Sequence, residues 1–121
     1  MQIEICVQSY FYQIRFCWML SSIVQQKDHN LDIIVTCSYL KDGSDGAPNN
    51  IRTIDFFQNK GLNIVGYEYS REKMLNRTYL RNDRAKNTKA DWILFADCDM
   101  IYDPLFFADL EKNLCLMNIK I

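Results

Sequence analysis

The chain contains the stretch Trp92-Ile93-Leu94-Phe95-Ala96-Asp97-Cys98-Asp99, in which a continuous apolar run ends in two acids. An unbroken apolar run is typical of a parallel strand covered on both faces, so we predict a central strand over residues 92–96. Open α/β sheets bind their ligands beyond the carboxyl ends of the strands. The stretch therefore predicts a fold class and also the edge of the sheet where a functional site belongs.

Segments with strand and helix periodicity alternate along the rest of the chain. The predicted elements are strands at residues 3–7, 31–37, 62–67 and 92–96, and helices at residues 12–26, 51–60, 73–89 and 104–114. Asn50 is the expected N-cap of the second helix, and Gly61 stands where a C-terminal glycine belongs. This order predicts an α/β fold, a mostly parallel sheet of about four strands with flanking helices and right-handed crossovers.

The composition excludes several classes of protein. The chain has 121 residues, of which 49% are hydrophobic and 24% charged, as expected for one globular domain. The net charge of -1 argues against a wholly basic nucleic-acid binder, so we expect no nucleic-acid partner. No apolar run approaches the roughly 18 residues of a membrane helix, so we expect no transmembrane segment. Five cysteines without a CxxC pair, and no visible secretory signal, indicate reduced thiols and a cytoplasmic location.

Asp97 and Asp99 are the principal candidate ligands. Two carboxylates at one strand end repel each other and remain ionised together most easily beside a cation. Oxygen ligands favour Mg²⁺ or Mn²⁺, and magnesium sites commonly complete their shell with water and substrate phosphates. The pair therefore predicts a phosphorylated ligand. The structural alternative is that Asp99 or Asp103 only caps the following helix.

A basic segment precedes the acidic pair. Glu72 and Asp83 are its only acids, so it carries a charge of +5 and the remainder of the chain carries -6. Its basic residues are Arg71, Lys73, Arg77, Arg81, Arg84, Lys86 and Lys89. Arginine binds phosphate in a bidentate manner, but most charge runs are solvated helix faces, and we expect this for all but Arg81-Asn82.

The segment from Tyr79 to Met100 resembles the donor-site segment of family 2 glycosyltransferases of the GT-A fold. In that family an Arg-Asn pair on a helix, here Arg81-Asn82, is followed by a polar turn and a strand that ends in an Asp-x-Asp metal motif. The opening, residues 3–10, is similar to the family's first strand and its Pro-Thr-Tyr-like turn. The resemblance implies a Rossmann-like GT-A half-domain, with residues 1–121 forming a single, partial nucleotide-sugar-binding domain.

The resemblance also implies an activity and a set of site residues. The family moves a sugar from a nucleotide-diphosphate donor to an acceptor hydroxyl, here on an unknown saccharide, lipid or protein, and this chain would supply donor binding. Asp99 would be the main ligand of Mn²⁺ or Mg²⁺, Asp97 would contact the metal or the ribose, and Arg81 would contact the base or the diphosphate. The expected nucleotide-sugar-binding residues at the strand ends and on the helix are Gln8, Ser9, Tyr10, Cys37, Arg81, Asp97 and Cys98.

Two departures from the family leave alternatives open. The family's base-reading Asp falls near Cys37 here, and Asp42-Gly43-Ser44 follows several residues later. Family members are also considerably longer, so the general base is expected beyond the C-terminus and the catalytic residues are unknown. A haloacid-dehalogenase-like phosphatase, with Asp97 as nucleophile and Asp99 as acid and base, is one alternative. A non-catalytic nucleotide-binding remnant is the other.

Overall fold

A computed structural model of the chain describes residues 1–10, 13–40 and 47–117. Strands and helices alternate along these ranges. The strands are β1 (Gln2–Gln8), β2 (Asp32–Leu40), β3 (Ile64–Tyr69) and β4 (Trp92–Phe95). The helices are α1 (Gln13–Val24), α2 (Ala47–Asn59), α3 (Arg71–Met74), α4 (Arg77–Asn87) and α5 (Phe106–Met117).

The four strands form one sheet in the order β3-β2-β1-β4, and every pairing in it is parallel. The predicted α/β class, with a parallel sheet of about four strands, is confirmed. The prediction that residues 92–96 form a central strand is wrong for the described part of the chain, because β4 pairs with β1 alone and lies at the edge. A continuous apolar run reports that both faces of a strand are covered, but it carries no information about the number of neighbouring strands.

Helices cover both faces of the sheet. On one face, α1, α2 and α5 enclose an apolar core that includes Ile5, Phe16, Val35, Ile54 and Phe107. On the other face, α3 and α4 enclose a smaller cluster of Leu40, Met74 and Leu80 together with a buried polar layer. Because the α4 face is partly polar inside, the helix between β3 and β4 did not show a strong apolar stripe in the sequence.

The buried polar layer joins α4 to the two central strands. The Arg84 guanidinium donates from Nε to Glu4 Oε2 at 3.0 Å and from Nη2 to Glu4 Oε1 at 2.9 Å. Thr36 Oγ1 donates to Glu4 Oε2 at 2.8 Å, and the Tyr67 ring lies 4.6 Å from the guanidinium carbon. The sequence predicted that Arg84, like most of the basic segment, lies on a solvated helix face. The structure shows instead that Arg84 is buried. Burial alone would raise the pKa of Glu4, but the hydrogen bonds from Arg84, Thr88 and Thr36 hold it below 4.5.

Two helix boundaries differ from the prediction. The single helix over residues 73–89 is divided into α3 and α4, because the Asn76 side chain accepts a hydrogen bond from Tyr79 N and begins a new helix. Asn50 is not an N-cap, because α2 already begins at Ala47 and Asn50 lies buried in its first turn. Gly61 is confirmed as the C-terminal glycine, with a φ of 91° and a hydrogen bond from its N–H to Gln58 O.

Within the described ranges, no helix is long and apolar enough to cross a membrane. All five cysteines are free thiols.

Candidate functional site

An open crevice of about 410 Å³ lies at the carboxyl edge of the sheet. Its size is within the usual range of small-molecule sites, roughly 300 to 1,000 Å³. Two strand ends and the junction of α3 with α4 build its walls. The lining residues are Gln8, Tyr10, Met74, Leu75, Arg77, Ala96, Asp97, Cys98 and Asp99. The crevice lies at the edge that the strand-end rule indicates, and the structure brings five of the predicted residues together there.

Asp97 and Asp99 lie in the turn that follows β4, and both are exposed to solvent. In the described residues, neither carboxylate accepts a hydrogen bond from the backbone, and Arg15 Nη1 lies 4.0 Å from Asp99 Oδ2. The capping role that competed with a ligand role belongs to Asp103, whose Oδ1 accepts from Leu105 N at 2.9 Å. Asp97 and Asp99 both line the crevice, and neither caps the following helix.

Cys98 lies between the two acids in the sequence but, unlike them, is buried. It is 6% exposed, and burial together with the charge of Asp99 raises its thiol pKa to about 11. The thiol therefore stays neutral near pH 7 and acts as part of the wall of the crevice.

The first strand contributes Gln8 and Tyr10 to the crevice, but Ser9 faces the opposite way. Ser9 is fully buried and its Oγ donates to Asn50 Oδ1 at 2.8 Å, so it ties the end of β1 to α2. The Gln8 Nε2 atom is buried and has no hydrogen-bond partner among the described residues. A buried amide without a partner costs free energy, and a ligand oxygen in the crevice would remove that cost.

Cys37 does not reach the crevice. It is fully buried within β2, opposite Val7 and Gly66, because the strand continues to Leu40. The prediction that the strand ends at Cys37 is wrong. The sequence misled us because Ser38 is polar, whereas in the structure Ser38 is buried and its carbonyl accepts from Ser9 N. Asp42, which follows the true strand end by two residues, lies outside the described residues.

Arg81 is also set back from the crevice. Its guanidinium carbon lies 5.4 Å from the centre of the Phe95 ring, at the end of β4. The basic residue that does line the crevice is Arg77, one helical turn nearer the mouth. Arg77 belongs to the basic segment, but its sequence position did not distinguish it from the other basic residues. Only the break between α3 and α4 brings Arg77 to the mouth of the crevice, and the sequence pattern did not predict that break.

The potential metal ligands at the crevice indicate which kind of cation could bind there. No three His, Cys, Asp or Glu side chains come together as a metal site in the part of the chain that the structure describes. Asp97 and Asp99 supply two carboxylates in an open turn. This matches a Mg²⁺-type site, which takes one or two carboxylates and obtains its other ligands from water and substrate phosphates. The residues therefore fit a cation that binds together with a phosphorylated ligand.

Comparison with known proteins identifies the fold. No protein-family model and no curated protein matches the sequence. A crystal structure of S. aureus TarS matches at a TM-score of 0.69 and 17% identity, covering 96% of this chain and 20% of that chain. TarS 1-349 in complex with UDP matches at 0.69 and 17%, covering 96% and 32%. The same fragment in complex with UDP-GlcNAc matches at 0.65 and 17%, covering 98% and 31%.

At this identity the likeness shows the fold, and the predicted GT-A half-domain is confirmed at that level. The chain spans about a fifth to a third of the length of the TarS chains it matches.

Proposed function

We propose that this chain binds a nucleotide-sugar in the crevice at the carboxyl edge of the sheet, as the donor-binding part of a glycosyltransferase. One observation carries the proposal: the exposed carboxylates of Asp97 and Asp99 share an open crevice with Gln8 and Tyr10. The TarS complexes with UDP and UDP-GlcNAc support it, because a protein of the same fold holds this class of ligand.

The walls of the crevice suit the two halves of a nucleotide-sugar. Tyr10, Met74 and Leu75 offer aromatic and apolar surface on which a base and ribose can pack. The amide of Gln8 offers a donor for a ligand oxygen. On this proposal the acidic pair faces the diphosphate, and the base lies nearer the tyrosine.

Asp97 and Asp99 would hold a divalent cation, Mn²⁺ or Mg²⁺, with Asp99 as the main ligand and Asp97 shared with the ribose. Such a cation neutralises charge on a diphosphate leaving group. The chain's own residues bind and orient the donor.

Thermal unfolding with UDP-GlcNAc, with UDP and without nucleotide, each with and without Mn²⁺, tests the proposal. A ligand at a hundred times its Kd adds about 2.7 kcal/mol to the free energy of unfolding. With about 2.1 cal/mol/K of unfolding entropy per residue, this raises the Tm by about 10 °C. Asp99→Asn should abolish the part of the shift that needs Mn²⁺, whereas Asp109→Asn, an exposed acid on α5, should leave it intact.

Three outcomes would count against this proposal. A Mn²⁺-dependent shift that survives Asp99→Asn would show that the cation binds elsewhere. A covalent phosphoryl group trapped on Asp97 after incubation with a phosphate monoester would favour the haloacid-dehalogenase-like alternative. Binding of UDP-GlcNAc without sugar transfer or donor hydrolysis would favour the non-catalytic alternative.

A further inference from the structure

Three arginines lie along one face of α4, at intervals of four and three residues. They are Arg77, Arg81 and Arg84, and residues at this spacing share a helix face. The helix begins at the carboxyl edge of the sheet, where Arg77 lines the crevice. Further along the helix, Arg84 forms hydrogen bonds with Glu4 in β1. The three guanidinium groups therefore occupy three different depths, from open solvent to the interior.

Each arginine has a different environment. Arg84 is buried in a bidentate ion pair with Glu4, and Arg81 lies over the ring of Phe95. Arg77 is exposed at the first position of α4 and, in the described residues, forms no ion pair and no ring contact. An arginine without a partner in the wall of a crevice is available to an anionic ligand.

We propose that Arg77, and not Arg81, is the arginine that contacts the diphosphate of the donor. The inference rests on the proposed function and changes the residue that the resemblance assigned. A rise of 1.5 Å per residue sets Arg81 about 6 Å deeper along the helix than Arg77. Arg81 then packs over Phe95 at the end of β4, and Arg77 binds the ligand.

The charge arrangement supports a bridging anion. Asp97 and Asp99 line the crevice together with Arg77, but no salt bridge joins them within the described residues. A diphosphate with a divalent cation satisfies both groups at once, because the cation meets the carboxylates and the free phosphate oxygens meet the guanidinium. Arginine suits this role since its planar fork binds two phosphate oxygens together.

NMR titrations of the 121-residue chain with UDP and with uridine, both in the presence of Mg²⁺, test the assignment. Hydrogen bonds to charged groups contribute about 1.5 to 3 kcal/mol, so Arg77→Gln should weaken UDP binding about tenfold to a hundredfold. Uridine has no phosphate, so its affinity should not change. Arg77→Lys should recover part of the loss because it keeps the charge.

Arg81→Gln and Lys73→Gln are the matched controls, since each removes one positive charge from α3 or α4 at a residue that does not line the crevice. Both should lower UDP affinity less than about threefold, which is the size of a general electrostatic effect. If Arg81→Gln loses UDP binding and Arg77→Gln does not, the assignment is wrong and the proposed function stands. Equal loss of UDP and uridine with Arg77→Gln would also overturn it. A wild-type chain that binds neither UDP nor UDP-GlcNAc overturns both proposals.

Discussion

Replacing Arg84 by methionine should destabilise the protein more than replacing any exposed basic residue of α4. The substitution removes the guanidinium but keeps an unbranched side chain of comparable length. It leaves Glu4, which is only 2% exposed, with the uncharged hydroxyl donors of Thr36 and Thr88 in place of an ion pair. A buried carboxylate that loses its ion-pair partner is expensive because water cannot replace the guanidinium.

The expected magnitude follows from the geometry of the pair. Both side chains are at least 90% buried and joined by two short hydrogen bonds, and breaking such a pair costs about 3 to 5 kcal/mol. A chain of 121 residues has a total stability of about 6 to 18 kcal/mol. The Tm should fall by about 12 to 20 °C at an unfolding entropy of about 2.1 cal/mol/K per residue.

Urea unfolding followed by circular dichroism measures this loss, with Lys86→Met on the exposed side of α4 as the control. The control should change the free energy of unfolding by less than about 0.5 kcal/mol. Glu4→Gln together with Arg84→Met should be more stable than Arg84→Met alone, since the double variant buries no charge. A cost below about 1 kcal/mol for Arg84→Met would falsify the claim that the pair is buried and coupled.

The same pair predicts the sign of a pH effect. The pKa of Glu4 is lowered in the folded protein, so its stabilising contribution is complete above its unfolded value of 4.5 and is lost as the pH falls through the lower folded value. In Arg84→Met, burial without the partner raises the pKa of Glu4 instead. The variant's deficit relative to wild type should therefore shrink as the pH is lowered from 7 towards 4, and a constant deficit would contradict the assignment.

Three further results are expected. Arg15→Gln should strengthen Mn²⁺ binding, because the positive charge of Arg15 beside Asp99 repels a cation, and the gain should be less than about fivefold because the pair is exposed. Calorimetric titration with Mn²⁺ measures the affinity, and weaker binding would contradict this repulsion. Gly66→Ala should lower the free energy of unfolding by about 1 to 3 kcal/mol in urea titrations, since an added Cβ would lie 2.8 Å from one side-chain carbon each of Ile54 and Tyr39. An unchanged free energy of unfolding would show that these two side chains move aside freely. Iodoacetamide at pH 8 should modify Cys115 before Cys98, because Cys98 is buried and has a thiol pKa of about 11. Peptide mapping measures the order of modification, and the reverse order would contradict the burial of Cys98.

Local patterns predicted the elements well, because strand and helix periodicities depend only on neighbouring residues. The parallel sheet, the glycine at residue 61 and the edge that carries Asp97 and Asp99 all followed from such patterns. The position of β4 in the sheet could not follow from them. Strand order depends on which crossovers pack together, and the residues of β4 are equally apolar at an edge or in the centre.

The errors at the site have a common physical cause, which is burial of polar groups. Ser9 was expected at the ligand site and Arg84 on a solvated helix face because their side chains are polar, yet each is buried with a hydrogen-bond partner far away in sequence. A sequence without aligned relatives does not show which distant residue satisfies a polar side chain. The residue types at the site were therefore easier to predict than the individual residues that reach the ligand.

The buried pair and the crevice are mechanically linked through α4. Arg84 lies seven residues after Arg77, a distance of about 10 Å along a helix. Arg84 is fixed to Glu4 in β1. The same strand ends at Gln8, which lines the crevice together with Tyr10 two residues later. One strand therefore sets the position of the wall formed by α4 and of the wall formed by Gln8 and Tyr10. Loss of the pair would free α4 to shift relative to β1 and would separate Arg77 from the acidic turn. Arg84→Met should therefore weaken binding of UDP, the ligand for which we propose Arg77, more than binding of uridine, even at temperatures where the variant remains folded.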